Sequence, residues 1–188
     1  MSDYGVVADV SETLLKLLRE RLSDLVAADH ITPASPAEID LDTSPWLAVF
    51  LYRIVEHLQL NNEHMERIGE NQARRPPFVV DLLYLVVPYA QSREDEQRIL
   101  GRVIQVFSAQ AILRGSWLQG KLAGTDDEFR VVFHPLPHEE LLRLWSAFDN
   151  KPYKLSICYL VTPVKIDSAA PPISVQPVVE RTVRVYEQ

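Results

Sequence analysis

The sequence predicts an α+β fold: a mixed β-sheet flanked by two long helices and one short one, with an extended C-terminal strand or arm. Three observations carry this. Phe78 to Tyr89 is almost continuously apolar, which suits a strand covered on both faces. Two other stretches repeat apolar residues at spacings of four and three, as amphipathic helices do. Pro171, Pro172 and Pro177 then set the last residues apart from what precedes them. The expected division is a body over residues 1–165 and a proline-containing arm over residues 166–188.

The first helix is expected from about Ser11 to Ala28. Val10, Leu14, Leu18, Leu22 and Leu25 line one face, and Lys16, Arg19, Glu20 and Asp24 the other. Ser11 would be its N-cap, because a hydroxyl oxygen can accept from an orphan amide of the first turn. Asp9, Glu12 and Arg19 read as its solvated side. Asp29 to Pro45 holds three prolines and reads as loop, with a short strand around His30 to Ala34. Trp46 to His57 is rich in β-formers and is a strand. Leu58 to Pro77 is a polar excursion with little core. Phe78 to Tyr89 is the central strand, and Asp81 inside it must lie at an edge or be paired.

Ser92-Arg93-Glu94-Asp95 resembles a capping box, so a second helix starts there. Ile99, Val103, Val106, Ala109 and Leu113 continue its face, which predicts an end near Gly115. Trp117 to Gly124 reads as a turn or short strand, and Phe129 to Phe133 as a strand. Pro137 opens a short helix with Leu141, Leu142, Leu144 and Trp145 on its buried side. Tyr153 to Val164 alternates as another strand. In the arm, Val179, Val183 and Val185 alternate with polar residues. They suit either a last strand of the body's own sheet or a strand added to another subunit, with Val178, Val179, Val183 and Val185 as the contact residues.

Composition narrows the function. The 188 residues are 47% hydrophobic and 24% charged, as in globular domains. No apolar run approaches the roughly 20 residues of a membrane span, so no membrane insertion is expected. Met1-Ser2-Asp3-Tyr4 lacks a basic region followed by an apolar block, so no secretory signal and a cytoplasmic protein are expected. The single Cys158 excludes an intrachain disulfide and a cysteine-rich zinc site, and reads as a small core residue. The net charge of −7 argues against nucleic acid as a partner, because phosphate binding draws on basic surfaces.

The search for chemistry finds near-misses. Gly115, Gly120 and Lys121 have P-loop spacing, but Leu122 stands where a magnesium-holding hydroxyl is needed and no helix follows. His134 and His138 are four apart, but Pro135 and Pro137 prevent one helix from presenting both. Asp126-Asp127-Glu128 reads as a solvated turn, and His57 and His64 suggest nothing together. No catalytic, cofactor or metal site is expected.

Several stretches resemble one family. They are Asp3 to Leu14, the strand entry Ser44-Pro45-Trp46-Leu47, Phe78 to Tyr89, Glu94-Asp95-Glu96-Gln97 with Ile99-Leu100-Gly101, Leu144 to Phe148, and Lys151 to Ser156. Together they resemble the tail-terminator, or cap, proteins of extracellular contractile injection systems, which are phage-tail-like particles. The resemblance runs from about residue 3 to residue 165. It implies a phage tail-terminator-like fold and a hexameric ring on the distal end of inner tube and sheath, where it stops their polymerisation. The implied partners are the sheath protein, the inner tube protein and further copies of the chain. Assembly would be cytoplasmic, and no reaction or cofactor is implied. The rivals are a terminator or neck protein of an ordinary phage tail, a monomeric adaptor, and a metal-dependent enzyme using His134, His138 and a glutamate.

Overall fold

The computed structural model describes residues 4–39, 45–61, 65–68, 72–148 and 151–174. The elements in chain order are α1 (Val6–Arg21), β1 (Ile31–Thr32), β2 (Trp46–Glu56), β3 (Glu66–Arg67), β4 (Gln72–Arg74), β5 (Phe78–Tyr89), α2 (Arg93–Ala109), β6 (Ile112–Arg114), β7 (Glu128–Phe133), α3 (His138–Ser146), β8 (Ile157–Ile166) and β9 (Ile173–Ser174). A six-stranded sheet runs in the order β1-β2-β5-β8-β7-β6. Only the β1–β2 pair is parallel, so the sheet is mixed as expected. A small second sheet, β3-β4-β9, joins the polar excursion to residues of the expected arm.

β5 is apolar almost throughout because its alternate side chains enter two cores. Val80, Leu82, Tyr84 and Val86 pack with α1 and α2, whereas Leu85, Val87 and Tyr89 pack with Trp145 and Phe148 on the α3 side. Strand periodicity of two makes this the only way to bury such a run. Asp81 is paired within this central strand. Its carboxylate accepts from the Thr162 hydroxyl and lies 3.5 Å from His57 Nδ1. The register places Asp81 against the extra residue of a bulge in β8, between Val161 and Val164.

Several boundaries differ from the sequence reading. α1 starts at Val6, with Gly5 at its N-cap, and ends at Arg21. Ser11 lies inside it and caps nothing: its hydroxyl donates to Val7 O at 3.1 Å and lies 2.8 Å from Tyr84 Oη. Buried Val6 and Val10 extend the helix backwards, since packing of an apolar face outweighs local capping preference. α2 starts as expected, with Ser92 Oγ accepting from Asp95 N at 3.0 Å. It stops at Ala109, because Ile112–Arg114 leave the helix to pair with β7. Leu113 therefore faces the core from a strand, and Gly115 is not a helix C-terminal glycine. In α3, Trp145 is buried and Leu141 and Leu144 are partly buried, but Leu142 points outward.

Candidate assembly interface

The near-miss motifs resolve into structural contacts. Gly115 and Gly120 both have positive φ, at 63° and 59°, but each opens a single 3-10 turn. Asp9 of α1 fills the loop. Its carboxylate accepts from Lys121 N at 3.1 Å, and a Cβ on Gly120 would run into that carboxylate. One turn along, Thr13 Oγ1 accepts from Gln119 N at 3.1 Å. A side-chain carboxylate thus takes the place a phosphate would need, and the loop is tied to α1. Asp9 is part of that tie rather than a purely solvated residue. Arg19 likewise donates to Ala28 O and Ile31 O, closing the turn after α1.

His134 uses its main-chain N–H to bond Cys158 O at 2.9 Å, at the end of β7. Among the described residues no three His, Cys, Asp or Glu side chains come together as a metal site. Asp127 accepts from Thr125 Oγ1 at 2.8 Å, and Glu128 lies 3.6 Å from Arg114, within an ordinary polar turn. Cys158 is buried, and burial pushes its thiol up to about 11 despite a partial offset from the Tyr52 hydroxyl. The Tyr52 hydroxyl is itself buried with no hydrogen bond of good geometry. A thiol that holds its proton this firmly is a poor nucleophile.

One buried charge pair escaped the sequence reading. Lys154 Nζ bonds Glu96 Oε1, and both side chains are largely shielded. Lys154 Nζ also lies 5.0 Å from the Tyr89 ring centroid. Burial, then the Glu96 charge, pushes the Tyr89 hydroxyl up to about 12. Glu96 reads in the sequence as a first-turn acid beside the helix dipole, but its main partner is fifty-eight positions away. The pair ties α2 to the strand-entry segment before β8.

The surface shows where binding is available. Ile54, Leu58, Met65, Ile68, Phe78 and Ile173 are all exposed, Leu58 by 75%. Along the chain they fall at the end of β2, at the start of β5, and in or beside the strands of the small sheet. Asn61 fastens that end: its Oδ1 accepts from Val79 N at 2.7 Å and its Nδ2 donates to Val79 O at 2.9 Å. Ile173 pairs with Ala73, and Ile68 N bonds Gln72 O. The described parts of the polar excursion, residues 58–61, 65–68 and 72–77, therefore carry short strand pairs and exposed apolar side chains. An exposed apolar set of this kind is a candidate contact surface.

Comparison with known proteins decides the family. The family described as the Pvc16 N-terminal domain matches residues 9–180. The chain belongs to the Pvc16 N-terminal domain family. Two solved structures share the fold. One is a cryo-EM structure of the sheath/tube terminator, in the extended state, of the extracellular contractile injection system PVC. It has a TM-score of 0.65 and 21% identity, over 97% of this chain and 64% of that one. The other is the cryo-EM structure of the anti-feeding prophage cap, a tube-terminating cap. It has a TM-score of 0.57 and 23% identity, over 95% of this chain and 61% of that one. The chain thus spans less than two thirds of either matched structure. No curated protein matches it.

Family and fold agree with the tail-terminator resemblance read from the sequence. The expected contact residues Val178, Val179, Val183 and Val185 lie outside the described residues. Among the described residues no helix is long and apolar enough to cross a membrane. The sequence reading missed the small sheet because Glu66–Arg67 and Gln72–Arg74 are too short and too charged to alternate. Ile68, with Met65 and Leu58, was the available signal: isolated apolar residues in a polar stretch.

Proposed function

We propose that this chain is a structural cap of a contractile phage-tail-like particle, closing the distal end of inner tube and sheath. In this reading copies of the chain form a hexameric ring that halts further addition of tube and sheath subunits. The observation that carries it is the shared fold with a sheath/tube terminator over 97% of the chain. The surface is compatible: contact residues are apolar and exposed, and the polar clusters are internal ties. The chain acts by binding rather than catalysis, assembles in the cytoplasm, and becomes part of the particle. Its arm, residues 166–188, adds contacts to neighbouring subunits through Val178, Val179, Val183 and Val185.

Native mass spectrometry with negative-stain imaging tests the ring. The expected result is a hexamer's multiple of the 21.5 kDa chain mass and a ring in the images. A protein that stays monomeric and leaves the growth of purified tube–sheath ends unchanged would overturn the reading. Capped ends with halted growth would support it even where the free protein is monomeric.

A further inference from the structure

β2 has a neighbour along its whole length on one side and almost none on the other. β5 pairs with it from Trp46 to Glu56, with one bulge at Tyr52. On the outer side β1 covers only Leu47 and Ala48. Among the described residues no other backbone hydrogen bond reaches residues 49–56. Unpaired strand edges invite another strand, and folds normally shorten or blunt them. The opposite edge of this sheet is blunted in that way. β6 covers Glu128 to Arg130, and Pro135 and Pro137 follow soon after β7 ends. The open stretch of β2 reads Val49-Phe50-Leu51-Tyr52-Arg53-Ile54-Val55-Glu56, which is rich in β-formers and has no proline. Leu51 sits half-buried at the margin of the α1–α2 core, and Phe50 and Tyr52 at the margin of the α3 core. A strand laid along this edge would extend both cores at once.

We propose that this edge, residues 49–55, accepts residues 178–184 of a second copy of the chain as an added antiparallel strand. The donor follows from the chain beyond Ser174, where the described residues end and residues 175–188 remain. In an antiparallel pairing that stops short of Ala48, which β1 already covers, residues 178–184 lie along residues 55–49. One antiparallel register sets Val178 against Val55, Val179 against Ile54, Glu180 against Arg53 and Val183 against Phe50. At these four positions it pairs apolar with apolar and acid with base, as cross-strand neighbours prefer, while Arg184 falls opposite Val49, Thr182 opposite Leu51 and Arg181 opposite Tyr52. Donation to a second copy rests on the ring reading, in which each subunit gives one contact and receives the same one from its other neighbour.

The test uses the full chain. One protein carries Ile54→Cys and another carries Val179→Cys; Cys158 is buried and remains in both. The two are mixed, oxidised and run on a non-reducing gel, with each single variant alone as control. A covalent heterodimer that forms only in the mixture is the expected result. A chain carrying both substitutions should give a ladder of multimers. Absence of the heterodimer up to about millimolar protein, where even weak association is populated, overturns the proposal. Closure of the double variant within one chain also overturns it. Native mass on the same samples keeps two failures apart. Rings without the cross-link leave the ring standing and reject this acceptor. Monomers without the cross-link that also leave purified tube–sheath ends growing reject both.

Discussion

β2 and β5 lie side by side and are built from similar residues, yet their surroundings are opposite. β5 has a strand on each side and a core on each face, and nearly every residue in it is buried. β2 starts buried at Leu47 to Val49 and becomes half-buried or exposed from Phe50 onward. Hydrophobic pattern reports what covers the two faces of a strand. It carries no information about who pairs with its edges, because main-chain groups are the same in every residue. Two stretches that both read as strands can therefore be the centre of the fold and its open margin.

Substitutions in the two strands and in the ties around them test that contrast. The largest effect is expected at β5. Leu82 is fully buried between α1, α2 and the sheet. Leu82→Ala should cost about 2–5 kcal/mol of folding stability, read by urea unfolding. A cost below about 1 kcal/mol, less than such truncations ordinarily show, would mean that β5 is less enclosed than described.

Next comes the tie between α2 and the segment leading to β8. Lys154→Met leaves Glu96 buried without its partner and should cost about 3 kcal/mol. Replacing both, Glu96→Leu with Lys154→Met, should recover most of that loss. If the double variant is no better than the single one, the pair is not what holds this corner. Gly120→Ala should cost about 1–3 kcal/mol, from its positive φ and from the clash with Asp9. Asp9→Ala combined with Gly120→Ala should then cost less than the two singles added together.

These ties also show what is legible in the sequence. Phe78–Tyr89 is readable to the residue, because a strand buried on both faces needs no partner to announce itself. The Ser92 cap is readable because its partner, Asp95, is local. Leu113 reads as helix, since it continues the helical spacing by coincidence, and only pairing with Phe129 moves it into β6. Ser11 reads as a cap because its real partner, Tyr84, is seventy-three positions away. Glu96 and Lys154, Asp9 and Lys121, and the small sheet share that cause. The sequence displays periodicity and local chemistry, whereas these contacts exist only once distant segments meet.

A smaller effect concerns pH. Burial pushes Tyr89 and Tyr159 up to about 12, Cys158 up to about 11, and Tyr84 higher than its ordinary value. The folded chain therefore holds protons that the unfolded chain gives up near its ordinary values, roughly pH 9 to 10. The stability from keeping these groups neutral is fully present below that range. It is lost as pH rises from there through about 12. Unfolding free energy should be nearly flat from about pH 7 to about 8.5 and fall above it. Tyr84→Phe should flatten the alkaline fall, since a central β5 hydroxyl contributes to it. An unchanged slope would show that the buried tyrosines of the sheet do not set alkaline stability.

The smallest effect is the sharpest test of the contrast. Ile54 lies in the open part of β2 with 49% of its surface exposed, across from fully buried Leu82 in the same register pair. Ile54→Lys places a charge that can reach water, and its aliphatic stem can still lie along the strand. Its cost to the folded single chain should stay within about 0.5 kcal/mol, as for other surface changes. The paired residues Leu82 and Ile54 would then differ several-fold in their contribution although both are large aliphatics in adjacent strands. A cost at Ile54 as large as at Leu82, in protein held monomeric by dilution, would mean that something within the chain already covers this edge. A small cost in the single chain with a marked loss of ring formation would put the value of Ile54 in assembly, where an open apolar edge has its use.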